Sequence, residues 1–274
     1  MSRFRDRGAR KSGCKRVLSL LVLPLLAGCV RTFNLATQRE EYSITSDEKE
    51  VEMGRRIARR VEAELPLTPD AAMQERVRAV GERIVAVCDR QDLVYSFAVV
   101  EAEEVNAFSL PGGYVFVNRG LMKEVADDDE LAGVLAHEVA HITARHAVKR
   151  YESRLGAQAA QLAALAARSG RAAGGMSVAL QAAQLAYARQ DELEADRLAV
   201  KYVKAAGFNP QGVLAFLEKL DVVNRKRRLY IPRGVVRPQY AHTHPYVPER
   251  IRAVKEALFG VADYLDYLNT PDSP

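Results

Sequence analysis

His137-Glu138-Val139-Ala140-His141 is the stretch on which the reading of this chain turns. On a helix, His at i and i+4 lie one turn apart on the same face, so both imidazoles reach a single ion. The Glu beside the first His is then close enough to hold a water at that ion. The surrounding sequence predicts that helix. Asp127 to Asp129 supply an N-cap and first-turn acids, and apolar periodicity carries the helix to about Tyr151. His146 is five residues beyond His141, about 140° further round a continuous helix, and is read as structural. Gly at 144 and His at 147, which a longer three-histidine zinc motif needs, are absent; the chain has Ala144 and Ala147.

A third ligand therefore has to come from elsewhere. Asp191-Glu192-Leu193-Glu194-Ala195-Asp196 lies within a long helical pattern, about 177–206. Glu192 and Asp196 share one face there, and Glu194 does not. Glu192 is expected to bind the ion, and Asp196 to accept a hydrogen bond from the far nitrogen of a ligand His. Two His and one carboxylate leave a fourth position open for water, the arrangement of a catalytic zinc site. Zinc, one per chain, lowers that water's pKa to about 7. Glu138 is the expected base that takes its proton and returns it to the leaving amine. His244 and Arg250 are the candidate donors to the tetrahedral oxyanion.

Working outward, 274 residues with 48% hydrophobic and 27% charged composition suit one large domain with a sizeable core. The net charge of +5 is concentrated at the start: residues 1–28 carry seven Lys or Arg and a single acid, Asp6. The remainder is close to neutral, which argues against nucleic acid as a partner. The basic stretch is followed by an apolar run, Val17 to Leu26, too short to span a bilayer as a helix. It ends in Leu26-Ala27-Gly28-Cys29, which resembles the lipobox of bacterial lipoproteins. The expected organisation is a signal peptide over 1–28, a lipidated tether over 29–45 starting at Cys29, a catalytic domain over 46–260 and a tail over 261–274. Val30 stands where Asp would typically signal inner-membrane retention. By resemblance to that rule, the chain belongs on the periplasmic face of the outer membrane. Cys88 is the one thiol left in such a mature chain, so no internal disulfide is expected.

Other elements are read from pattern. Thr45 and Glu48 have capping-box spacing for a helix to about Glu64. Met73, Val77, Val80, Ile84 and Val87 mark a second helix. Leu93 to Val100 reads as a strand. Asn106 to Ser109 and Tyr114 to Val117 read as a β element around Pro111-Gly112-Gly113. An Ala-rich helix is expected over 154–168, a glycine-rich loop over 169–175, a helix from Asn209-Pro210 to about Asn224, a basic loop over 225–244 and a last helix from Pro248 to about Leu258.

Taken together, the HEVAH segment, the acidic 192–196 segment, Asn106-Ala107-Phe108-Ser109-Leu110-Pro111-Gly112-Gly113, and His244-Pro245 through Pro248-Glu249-Arg250 resemble the M48 zinc metallopeptidases. Within that family the chain resembles the periplasmic lipoprotein type related to outer-membrane quality-control peptidases. The resemblance covers about Thr45 to Leu258. It implies a mainly α (α+β) gluzincin-type fold with a small sheet whose edge strand lines the active-site cleft. It places that edge near Tyr114 to Val117. Substrate in extended form would bind there by strand addition, with Asn106, Ala107, Gly113, Tyr114 and Val115 as the contacting residues. It gives His244 two roles, an inhibitory fourth ligand and a transition-state donor. The 16 residues after Leu258 are too few for a tetratricopeptide array.

The function so implied is a metalloendopeptidase acting on misfolded or stalled envelope proteins. Its partners would be protein or peptide substrates, the membrane through the lipid at Cys29, and envelope assembly machinery. The alternative is a chaperone-like assembly factor with a zinc-stabilised fold and little proteolysis; the intact Glu138 favours the enzyme.

Overall fold

The computed structural model describes residues 30–166, 189–230, 244 and 246–260. In chain order these form β1 (Val30–Asn34), β2 (Arg39–Ser43), α1 (Asp47–Glu64), α2 (Ala71–Val85), β3 (Ser96–Val100), β4 (Ala107–Leu110) and β5 (Tyr114–Asn118). There follow α3 (Arg119–Glu124), α4 (Asp128–Thr143), α5 (His146–Ala166), α6 (189–205), α7 (Gln211–Tyr230) and α8 (Val247–Phe259). The architecture is mainly α with two small sheets, as the gluzincin reading implies. The expected signal peptide (1–28), Cys29, the glycine-rich loop and the tail (261–274) lie outside the described residues. So do the expected helical residues 177–188.

Helix α4 is the pillar of the domain. Asp127 caps it, its side chain accepting from Glu130 N, and three acids follow in the first turn. Every residue from Glu130 to Thr143 is buried. A helix buried on all sides must be surrounded, and α2, α7 and β4 pack around this one. Small residues let them come close. A Cβ on Gly133 would stand 2.9 Å from Val213 Cα in α7, so only Gly permits this crossing. Val77, Val80 and Ile84 of α2 join Leu131 and Leu135 of α4 and Val213 and Leu217 of α7 in one core, with Cys88 buried among them.

Helix α4 does not run on to Tyr151. It ends at Thr143, and Arg145 takes a left-handed backbone, φ 57°. That conformation is uncommon for a residue other than Gly. Glu50 holds it in place: its Oε2 accepts from Arg145 Nε at 2.9 Å, and Arg145 Nη2 donates to Thr45 O at 2.8 Å. All three groups are buried, and Arg90 Nη1 also donates to Glu50, at 2.8 Å. His146 therefore opens a new helix in a new direction.

The main sheet has the order β3-β5-β4, with β3 parallel and β4 antiparallel to β5. Gly112 (φ 77°) and Gly113 (φ 103°) make the turn between β4 and β5. This order corrects the expectation that the edge lies near Tyr114 to Val117. Strand β5 is paired on both sides, so it cannot accept another strand; β4 is the edge beside the metal-motif helix.

Regular structure also occurs within the expected tether over 29–45. Residues 30–43 pair as an antiparallel hairpin. Asn34 Oδ1 accepts from Ala36 N and Thr37 N, an Asx-turn, while its Nδ2 donates to Thr143 O at 3.1 Å. The hairpin is thus fastened to the end of α4. Smaller differences are local. Ser46, not Thr45, caps α1, and α7 keeps residues 225–230 helical where a loop was expected. Among the described residues, no helix is long and apolar enough to cross a membrane.

Candidate metal centre

Three elements converge on one point. Helix α4 presents His137, Glu138 and His141; α6 presents Glu192 and Asp196; the segment before α8 presents His244. Nε2 of His137 and Nε2 of His141 are 3.0 Å apart. Glu192 places Oε2 at 3.3 Å from the first and Oε1 at 3.4 Å from the second. His244 Nδ1 lies 3.3 Å from His137 Nε2 and 3.2 Å from Glu192 Oε2. Ligand atoms of these four side chains all fall within 4.8 Å of one another, and all four residues are buried.

The donor set fits a divalent cation. Two imidazole nitrogens, a carboxylate and a third imidazole aim at one small volume without enough protons to hydrogen-bond each other throughout. Imidazole with carboxylate is a donor set that zinc takes. Burial holds His141 well below its ordinary pKa and so keeps it neutral, as a ligand must be. Burial also opposes the charge on Glu192, but His244, Arg250 and His141 outweigh it and hold the carboxyl well below the usual range.

The two motif histidines differ in their outer contacts. His137 Nδ1 is 2.8 Å from Asp196 Oδ1. Burial and the neighbouring Arg250 cation disfavour a charged His137, yet Asp196 and Glu192 lift its pKa to about 9, so a cation at Nε2 would have to displace a proton there. Asp196 itself is opposed by burial and drawn down to about 2, mainly by Arg250. Arg250 is 1% exposed and grips Asp196 with two bonds of 2.8 Å; its Nη1 lies 3.2 Å from Glu192 Oε2. The guanidinium that the sequence offers as an oxyanion donor is thus engaged by Asp196 and by Glu192 of the donor set.

Glu138 has a contact that sequence reasoning missed. Ser109 Oγ, on the edge strand β4, donates to Glu138 Oε2 at 2.9 Å. His244 Nε2 stands 3.4 Å from Glu138 Oε1. Ser109 lies inside the quoted 106–113 segment, but nothing in its spacing points to Glu138. The expected substrate contacts fall in two groups. Ala107 and Ser109 belong to β4, and buried Asn106 precedes it, its carbonyl accepting from Asn118 N. Tyr114 and Val115 lie in the central strand, and Gly113 O accepts from Ser96 N. The structure therefore does not place Gly113, Tyr114 or Val115 at a free edge.

Comparisons with known proteins agree with this geometry. The family described as Peptidase family M48 matches residues 71–258. The chain is 29% identical over 213 residues to the beta-barrel assembly-enhancing protease of Escherichia coli, covering 74% of this chain and 42% of that protein. It is 33% identical over 184 residues to the mitochondrial metalloendopeptidase OMA1 of Schizosaccharomyces pombe, 66% of this chain and 52% of that one. It is 26% identical over 173 residues to the metalloprotease LoiP of Escherichia coli, 60% of this chain and 62% of that one. The chain thus spans about two fifths of the length of the first of these relatives. The family match runs from the start of α2 into α8 and contains Glu138 and every side chain of the convergent donor set, so the chain belongs to peptidase family M48.

Proposed function

We propose that this chain is a zinc-dependent metalloendopeptidase. The observation that carries the reading is the convergence of His137, His141 and Glu192 beside Glu138 in a buried site. His137, His141 and Glu192 would hold the ion. Once bound, zinc supplies Lewis-acid polarisation of the scissile carbonyl and of water.

The remaining chemistry belongs to the chain. Glu138 accepts a proton from water as oxygen attacks the peptide carbonyl, then delivers it to the departing nitrogen as the C–N bond breaks. Ser109 orients the Glu138 carboxylate. Asp196 accepts from His137 Nδ1 and is itself held by Arg250, which fixes the imidazole's orientation. An extended substrate adds along β4, the edge strand whose Ser109 side chain contacts Glu138. His244 shares the donor set, which supports reading it as the group that closes the site to water and substrate oxygen. His244 must withdraw for turnover, and from a withdrawn position its ring is the remaining candidate donor to the oxyanion.

The substrates we infer are proteins of the bacterial envelope. This rests on the name of the Escherichia coli relative, a protease that enhances β-barrel assembly, and on the leader-like 1–28 segment ending at Cys29. On the same basis the chain is a lipoprotein anchored through Cys29 at the periplasmic face of the outer membrane.

The test is zinc content and casein cleavage for the full chain and two variants. One zinc per chain is expected, retained in Glu138→Gln and lost in Glu192→Ala. Cleavage should fall by about 10²–10⁴-fold in Glu138→Gln, the range for loss of a general base. Undiminished cleavage in that variant overturns the proposed mechanism.

A further inference from the structure

His146 lies outside the ligand set, and its position follows from the break at Arg145. On a continuous helix it would point away from His141. After the break, its Nδ1 comes within 2.8 Å of His141 Nδ1, in a fully buried contact. Two imidazole nitrogens at that distance share one proton, with one donating and the other accepting.

The direction of sharing follows from the other ends. Nε2 of His141 faces His137 and Glu192, the proposed metal position. A histidine that binds metal through Nε2 carries its proton on Nδ1 and donates it outward, most often to a carboxylate, carbonyl or water. Here the acceptor is His146 Nδ1. That assignment leaves the His146 proton on Nε2, which faces Glu194 Oε2 at 3.3 Å and Asp191 Oδ1 at 3.6 Å. The chain of bonds is consistent throughout: His141 Nδ1–H to His146 Nδ1, then His146 Nε2–H to Glu194. His137 reaches its carboxylate directly; His141 reaches one through an intervening imidazole.

We propose that His146 and Glu194 are positioning residues that fix the tautomer and orientation of His141 and so set the metal affinity of the site. The proposal rests on the reading of His141 as a ligand. It gives Glu194, which is not a ligand candidate, a purpose on the opposite side of α6 from Glu192.

The experiment is zinc affinity of the full chain by competition with a chelator, together with the absorption spectrum of the cobalt-substituted protein and thermal unfolding of the zinc-free forms. The variants are His146→Leu, His146→Asn and Glu194→Ala. We expect His146→Leu to weaken zinc binding by about 10–100-fold and to alter the cobalt spectrum, with little change in the zinc-free melting temperature. His146→Asn, whose amide oxygen can replace Nδ1 as acceptor, should recover most of that affinity. Glu194→Ala should show a smaller loss in the same direction. Zinc affinity and cobalt spectrum unchanged in His146→Leu overturn the proposal while leaving His141 as a ligand. Absence of zinc from the unaltered chain overturns the underlying reading instead. Should His146→Leu fail to fold, Glu194→Ala decides, and unchanged affinity there overturns the relay.

Discussion

Ser109 donates its hydroxyl to the carboxylate of Glu138 at 2.9 Å, joining the edge strand of the sheet to the proposed base on α4. The bond makes the strand that would receive substrate also the strand that orients the base. A hydrogen bond to a charged group contributes about 1.5–3 kcal/mol. Ser109→Ala is therefore expected to lower kcat/KM about tenfold or more, with zinc content unchanged. Ser109→Thr, which keeps the hydroxyl, should retain most of the activity. Steady-state kinetics on one peptide substrate checks both.

His244 fills the fourth position of the donor set and approaches Glu138 from the other side. If the closed arrangement dominates, the observed rate is scaled by the fraction of open molecules. His244→Ala should then raise kcat/KM, by roughly threefold or more, while weakening zinc binding. A fall in kcat at saturating substrate would reassign His244 to the oxyanion.

Asp196 and Arg250 are both 1% exposed and joined by two bonds. Removing one member of a buried ion pair costs about 3–5 kcal/mol, because the other charge stays buried. Arg250→Met is expected to lower stability by that order in urea unfolding. Asp196→Asn should cost less stability and more metal, about 10–100-fold in zinc affinity, since His137 loses its charged acceptor.

Glu50 acts at a distance from the donor set. It is 1% exposed and pairs with both Arg90 and Arg145, which Asp47 also approaches. Glu50→Ala leaves two partly or wholly buried guanidinium groups without this carboxylate, and should destabilise the chain by about 3–5 kcal/mol. It should also weaken zinc binding, because the left-handed Arg145 directs His146 toward His141. A chain that is destabilised but binds zinc with full affinity would separate the break from the site.

Much of this was legible in the residues themselves. The helix carrying His137 and His141, its cap at Asp127 and the shared face of Glu192 and Asp196 depend on spacing within a few residues, and the helical period alone dictates them. The family resemblance, carried by four separated segments, likewise agrees with the matched span 71–258.

Other features needed contacts between distant residues. No Gly or Asn marks the end of α4; it stops because Glu50, 95 positions earlier, holds Arg145 in a left-handed conformation. Strand order decides that β4 and not β5 is the edge, and neither strand's own pattern records which neighbour it pairs with. Residues 30–43 look like a polar linker in isolation, and become a hairpin only where Asn34 meets the end of α4, 109 positions away. The local sequence determined which side chains could do the chemistry, because helical periodicity sets their faces. The tertiary structure decided which of them meet, which strand is the sheet edge and how His146 turns toward His141, because buried charges and unpaired backbone groups must find partners wherever the chain supplies them.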